Sequence, residues 1–293
     1  MNEEKYFIKK SVLKKKFKPK DLILKVILTF SFFIVMFIVI MFFYFIFSNG
    51  IQYLNFNLIY NNMGGVQKGI LPIIINTVYV VILTLLISVP IAIGTAIYIT
   101  QYAKYKKIVK IINFSINMLS SIPTILIGLF GYNIFCVFFG FAPSILVGCL
   151  TMSFCVLPNI IETSKEAILS IPKSYKYGAL SLGAEKHQVI FNIIIPNAMP
   201  GIITAIILAA GKIMGESAAL LLTVGAASKM PSGLIQHIFS SGKTLTLHLY
   251  YTAGNSNSYN SFQICFAVAL ILIFLTLILN CLTKLLAKCF KKF

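Results

Sequence analysis

The 293 residues are 58% hydrophobic and 11% charged, contain no tryptophan and reach a mean hydropathy of +0.91, which excludes a water-soluble globule of this length. A formal net charge of +18 would point to nucleic acid in a soluble chain, because clustered lysines neutralise phosphates. Here the lysines follow the loops of a membrane path, which sets nucleic acid aside as a partner and leaves the lipid bilayer.

The chain opens on a lysine-rich stretch, residues 1–21, followed by an apolar run at Leu22–Phe47. About 20 helical residues cross the roughly 30 Å hydrocarbon core, so this run predicts a first transmembrane helix. A secretory signal would have an apolar core of about 7–15 residues ending in small side chains. This run is longer, and Phe42–Phe47 offers no cleavage site. Further runs predict helices at Pro72–Thr100, Ile112–Phe138, Ala142–Ile161, Met199–Ala227 and Ser261–Ala287, giving a membrane core over 72–287. The second, third and fourth runs hold no Asp, Glu, Lys or Arg, so hydropathy identifies them alone. The fold class is all-α, a polytopic membrane protein of about six transmembrane helices.

All 25 basic residues are lysine, and most fall in Met1–Lys25, Gln101–Ile111, Glu162–Ala198 and Lys284–Phe293, on one side of a six-span path. The opposite loops carry only Lys68, Lys229 and Lys243. Because cytoplasmic loops are enriched in lysine, both termini are assigned to the cytoplasm, with attraction to lipid headgroups part of the same signal.

Two loops exceed ordinary turns, the cytoplasmic one over 162–198 and the external one over 228–260. The cytoplasmic loop predicts two short helices. Ser164 precedes Ala167-Ile168-Leu169, and Pro172 ends that piece, since proline lacks an N–H and fixes φ. A second begins near Ser174, with Tyr177, Leu180, Leu182 and Ala184 on an apolar side continued by Val189, Ile190, Ile193 and Ile194 up to Pro196. That side needs cover, either the protein's own span ends or a cytoplasmic partner. The external loop is rich in Ser, Gly, Asn and Tyr, including Asn255-Ser256-Asn257-Ser258, and reads as a solvated loop or a docking surface.

The fifth run is lined with Gly201, Ala205, Ala209, Ala210, Gly211, Gly215, Ala218 and Ala219. Small residues let helices pack closely in lipid, so this span is expected at the centre of the bundle. It also carries Lys212 and Glu216, four apart and therefore on one helical face. Each costs roughly 2.5–3.5 kcal/mol at a bilayer centre, so both must face protein or water. The pair is either an internal ion pair holding the bundle or the lining of a polar pathway.

Covalent chemistry has no candidates. No second carboxylate accompanies Glu216 in the membrane. There is no GxxxxGK[ST] phosphate loop, the six cysteines show no CxxC spacing, and His187, His237 and His248 are far apart without an HExxH context. The expectation is no catalytic residue, no metal site and no cofactor bound by this chain.

The cytoplasmic loop resembles the coupling loop of ATP-binding-cassette importer permeases, whose signature runs EAA, three residues, Gly, nine residues, Ile, any residue, Leu-Pro. The matching positions are Tyr177-Gly178-Ala179, Gly183-Ala184, Ile193 and Ile195-Pro196, with Tyr for Glu, Gly for Ala and Ile for Leu as departures. Lys212-Ile213-Met214-Gly215-Glu216-Ser217-Ala218-Ala219-Leu220-Leu221 is similar to the R-x-x-G-E-[ST]-A-x-L-L stretch of phosphate-importer permeases of the PstA type. Ser121-Ile122-Pro123-Thr124 with Gly128-Leu129-Phe130-Gly131, and Thr244-Leu245-Thr246-Leu247-His248-Leu249-Tyr250, extend the resemblance from about Gly64 to the last span.

The resemblance implies a type I importer permease in a bacterial plasma membrane. Its partners would be a second permease of PstC type, two ATPase subunits binding ATP-Mg, and an extracytoplasmic phosphate-binding protein. It assigns Lys212, Glu216 and Ser217 to the transport pathway, and Tyr177, Gly178, Ala179, Gly183, Ala184, Ile193 and Pro196 to ATPase coupling. Lys212 stands where relatives have Arg, which loses bidentate phosphate recognition and keeps the charge. A permease for another oxyanion or small solute is the alternative, and a membrane-embedded enzyme or a channel is more remote.

Overall fold

A computed structural model describes residues 19–54, 59–60, 69–227, 233–254 and 259–290. The basic stretch before residue 19, Gly64, Lys68, Lys229 and the Asn255–Ser258 run lie outside the described residues. The described residues form helices and turns, divided into two compact units, Met1–Asn49 and Gly50–Phe293.

The first unit is mainly helix α1 (Pro19–Ile51), which contains the expected Leu22–Phe47. Proline suits the opening turn, where its missing N–H has no helical partner, and Asp21 favours the positive end of the helix dipole. Large apolar side chains such as Phe30, Phe37 and Phe42 are exposed all round the helix, as lipid contact requires.

In the second unit, α2 (Leu71–Ile97) continues through a π turn to Tyr102 and matches the expected second span. The expected third span is not one helix. It forms α3 (Lys106–Ser121) and α4 (Thr124–Gly131, extended by a π turn to Phe138), bent by 101° at the break between them. Pro123 has no N–H and its ring pushes Ile122 out of the helical region, to φ −72° and ψ 129°. Among the described residues, five helices are long and apolar enough to cross a membrane, and a sixth span follows if the bent pair counts as one.

Helix α5 (Ile145–Leu169) contains most of the expected fourth span and runs on past it. Ala167–Leu169 is therefore the end of this helix, and Ser164 is buried within it rather than starting a separate piece. Pro172 precedes α6 (Lys173–Ser181) as its cap residue. After a turn at Leu182–Glu185 come α7 (Lys186–Val189), a π turn at Ile190–Ile194 and α8 (Ile195–Gly215), forming one 30-residue rod from Lys186 to Gly215. Pro196 lies inside this rod and does not end it. It follows the π turn, where the ordinary backbone bonding pattern is already interrupted and a missing N–H costs little.

Short helices α9 (Ala218–Thr223), α10 (Leu234–Ile238) and α11 (Leu245–Gly254) lead to the last long helix, α12 (Tyr259–Phe290). The most enclosed span is α5, and the fifth run packs into the same core. Its small residues do pack: Ala205, Ala209 and Ala210 are buried, and Gly201 is pressed against Ala167 of α5. Gly148 meets Val224, and Gly131 meets Thr151. A close backbone approach joins α4 to α9, where a Cβ on Gly128 would lie 2.8 Å from Ala219 Cα.

The external loop is not simply solvated over its described residues. His237, Thr244, Leu245 and Leu247 are buried. His237 Nε2 lies 2.6 Å from Asn76 Oδ1 on α2, and Asn76 Nδ2 donates to Lys243 O at 3.3 Å. With Oδ1 accepting, Nε2 carries the imidazole proton. His248 Nδ1 is buried without a hydrogen-bond partner. Burial, with the nearby Lys243 charge adding to it, pushes the His248 imidazole down to about 4.

Two outcomes follow. Gly128→Ala is expected to destabilise the protein by about 1–3 kcal/mol through overpacking. Gly94→Ala, with nothing within 4 Å of the new Cβ, leaves thermal unfolding in detergent unchanged or slightly improved. Equal melting of the two variants contradicts the close α4–α9 approach. The second outcome concerns pH. Unfolded His248 takes up a proton near the ordinary value of 6.5, while the folded imidazole resists until about 4. Acidification through that window therefore favours the unfolded state, and stability is lost as the pH falls from 6.5 towards 4. His248→Phe flattens this loss relative to wild type; an identical pH profile contradicts the assignment.

Candidate functional site

The Lys186–Gly215 rod stops at a glycine, a poor helix former. Glu216 then turns to φ −84°, ψ 126°, and α9 begins two residues on. The Glu216 side chain folds onto that start. Its Oε1 accepts from Ala218 N at 3.1 Å and Ala219 N at 3.5 Å, satisfying donors that an opening helix leaves free. Oε1 also accepts from Thr124 Oγ1 at 3.1 Å, across from the first turn of α4. Thr246 Oγ1, on α11, donates to the Glu216 backbone carbonyl at 3.0 Å. The α3–α4 break and the α8–α9 break are thus bonded to each other.

Lys212 points elsewhere. Its Nζ donates to Cys155 O on α5 at 3.0 Å. Pro158 lies one turn further along α5, inside the same unbroken helix. Lys212 and Glu216 are not an ion pair here. Among the described residues, the pair within 4.0 Å is His187–Glu185, at 3.1 Å near the other end of the rod. The expectation of an internal Lys212–Glu216 pair fails because Glu216 leaves the helix that would have stacked it above Lys212. Both charges act on Cys155, so they share one neighbourhood with no side-chain N···O contact within 4.0 Å between them.

Ser217 is half-buried and lines a cavity of about 730 Å³ with Gly215, Thr246, Tyr250, Tyr251 and Leu272. The cavity adjoins the end of α8 far from the α6–α7 turn. Its serine, threonine and tyrosine hydroxyls offer donors and acceptors to a polar solute.

The expected coupling residues gather at the other end of the rod. Ala179 and Ala184 pack against a cluster of Ala96, Ile168, Val189, Ile190, Ile194 and Ala198. Tyr177, 60% exposed, and Leu182, 90% exposed, face away from that cluster. The chain's own span ends cover one side of this segment and leave the other exposed. Gly183 has φ +86°, in the left-handed region that residues with a Cβ rarely adopt, and it turns the chain from α6 into α7. Glu185 then starts α7 with a capping box, its N–H donating to Gln188 Oε1 at 3.0 Å. Gly178 lies in α6, and Ile193 and Pro196 flank the π-turn exit into α8. Lys176 Nζ donates to Gln101 Oε1 at 2.8 Å, tying α6 to the end of α2.

Sequence reasoning missed the roles of Thr124 and Thr246. Both sit in the motifs quoted above, yet a hydroxyl in an apolar run carries no sign of a carboxylate partner 92 residues away.

A family model for binding-protein-dependent transport system inner membrane components matches residues 88–292. A Bacillus subtilis relative, probable ABC transporter permease protein YqgI, is 35% identical over 185 residues, 62% of this chain and 63% of the relative. A Mycoplasma pneumoniae relative, a phosphate transport system permease protein PstA homolog, is 34% identical over 191 residues, 63% of this chain and 29% of the relative. This chain thus spans less than two thirds of the length of these relatives. In fold, it superimposes with a TM-score of 0.68 and 15% identity on a chain of a bacterial alginate ABC transporter solved with an alginate pentasaccharide-bound periplasmic protein, covering 94% of this chain and 96% of that one. The chain belongs to the family of binding-protein-dependent transport system inner membrane components.

Proposed function

We propose that this chain is a permease subunit of an ATP-driven importer and that its cargo is inorganic phosphate, moved into the cytoplasm by alternating access. The observation that carries the cargo reading is Lys212, a lysine inside a membrane rod, bonded to a backbone carbonyl and not neutralised by the nearby Glu216. A cation whose charge is left open in a low-dielectric setting attracts an anion strongly. The PstA name of a relative at 34% identity supports phosphate. The alginate transporter, at 15% identity, supports the fold only.

In this reading phosphate reaches the cavity beside Ser217 from an extracytoplasmic binding protein docked on the external segments. It then passes Lys212, which acts as a weak stopping point. Such a site must release its cargo, so one point charge serves better than a bidentate guanidinium clamp. Glu216 sets the path's shape at the helix break. On the cytoplasmic side, the exposed side of α6 with Tyr177 and Leu182 docks on an ATPase subunit, and Gly183 gives the coupling turn its geometry. ATP-Mg binds on two such ATPase subunits, a second permease of PstC type completes the pore, and the complex sits in a bacterial plasma membrane with both termini of this chain cytoplasmic. A permease for another oxyanion is the second reading, favoured by the use of lysine in place of a two-pronged phosphate ligand.

ATP-dependent uptake of labelled phosphate into vesicles holding the assembled complex tests this. Lys212→Ala is expected to lower uptake at least about a hundredfold, as removal of a central charge contact does, and Gly183→Asp to abolish it while the complex still assembles. Excess sulfate leaves wild-type uptake unchanged. Competition by sulfate moves the cargo to oxyanions in general, and full uptake in Lys212→Ala contradicts the pathway.

A further inference from the structure

Lys212 and Glu216 lie close enough in sequence to pair, yet they stay apart, and the structure shows what separates them. Of the three donors on Glu216 Oε1, the Ala218 and Ala219 N–H groups belong to the adjoining backbone and move with it. Thr124 Oγ1, at 3.1 Å, is the donor that comes from another element. Its position is set firmly, because it opens α4 directly after Pro123, and α4 crosses α9 at the Gly128–Ala219 backbone contact. Thr246 secures the Glu216 carbonyl but leaves the carboxylate free to rotate.

We infer that Thr124 is a positioning residue for transport: its hydroxyl holds the Glu216 carboxylate away from Lys212, so that the lysine charge stays open to the anion. The inference rests on the reading above that the anion passes Lys212. Without the hydroxyl, the carboxylate keeps only the two N–H donors of its own turn, swings more freely towards the Lys212 ammonium and competes with cargo. Movement of α4 against α9 in the transport cycle would have the same effect, making Glu216 a built-in competitor that helps release the anion.

A double-mutant cycle on the assembled complex tests this. Thr124→Val is expected to raise KM for phosphate uptake about tenfold, the effect of losing one charge-assisted hydrogen bond, while Thr124→Ser keeps the wild-type KM. In a Glu216→Gln background, which has no carboxylate to release, Thr124→Val adds no further rise. An equal rise in both backgrounds, or none in either, overturns the inference. A second readout needs no cargo. A hydrophobic carbodiimide activates a carboxyl so that a touching lysine forms an amide with it, the reagent leaving as its urea. Mass spectrometry is expected to find the Lys212–Glu216 amide in Thr124→Val and not in wild type; equal amounts in both overturn the inference. If wild-type vesicles take up no phosphate but this contrast holds, the cargo reading fails and the role of Thr124 stands.

Discussion

Inside a bilayer no water is available to satisfy a backbone N–H or C=O, so a broken helix survives only where other protein groups take the freed partners. Here two breaks meet. The Glu216 carboxylate takes the donors that open α9 and the hydroxyl that opens α4, and the Glu216 carbonyl takes the hydroxyl of Thr246. This cross-brace permits irregular backbone in the apolar region close to Lys212, which is bonded to Cys155 O. The tight Gly128–Ala219 crossing and the burial of His237, Thr244, Leu245 and Leu247 both serve to keep these groups in register.

The same rod that ends at this break begins at the cytoplasmic turn. From Lys186 to Gly215 it runs 30 residues, about 45 Å of continuous helix. A displacement imposed at Gly183 and α7 is therefore carried to Lys212 by a single stiff element. Its π turn and prolines leave the backbone less regular near its Lys186 end, ahead of the buried Ala205–Ala210 contacts. One helix, rather than a chain of loose contacts, joins the Gly183 turn to Lys212.

Much of this architecture was legible in the sequence. Long apolar runs must cross lipid, and α1, α2, α5 and α12 lie where hydropathy puts them. The turn between α6 and α7 was legible because its glycine is set by backbone geometry, φ +86° at Gly183. The breaks were not. Hydropathy averages over a window, and Ile122-Pro123 or Gly215-Glu216 hardly changes that average. Proline itself does not decide the matter, since Pro90, Pro158 and Pro200 lie inside intact helices while Pro123 ends one. What differs is whether neighbouring elements can take up the freed groups, which is a property of the packed bundle. For the same reason a loop rich in Ser, Gly and Asn looked solvated although His237 is locked to Asn76, 161 residues away.

The central claim is that Lys212 keeps an open charge for a passing anion. A cryo-electron microscopy structure of the assembled complex, trapped while it turns over phosphate, tests this most directly. An anion is expected within hydrogen-bond distance of Lys212 Nζ, with that nitrogen drawn away from Cys155 O. An anion held elsewhere, with Lys212 still bonded to Cys155 O throughout the cycle, would contradict it.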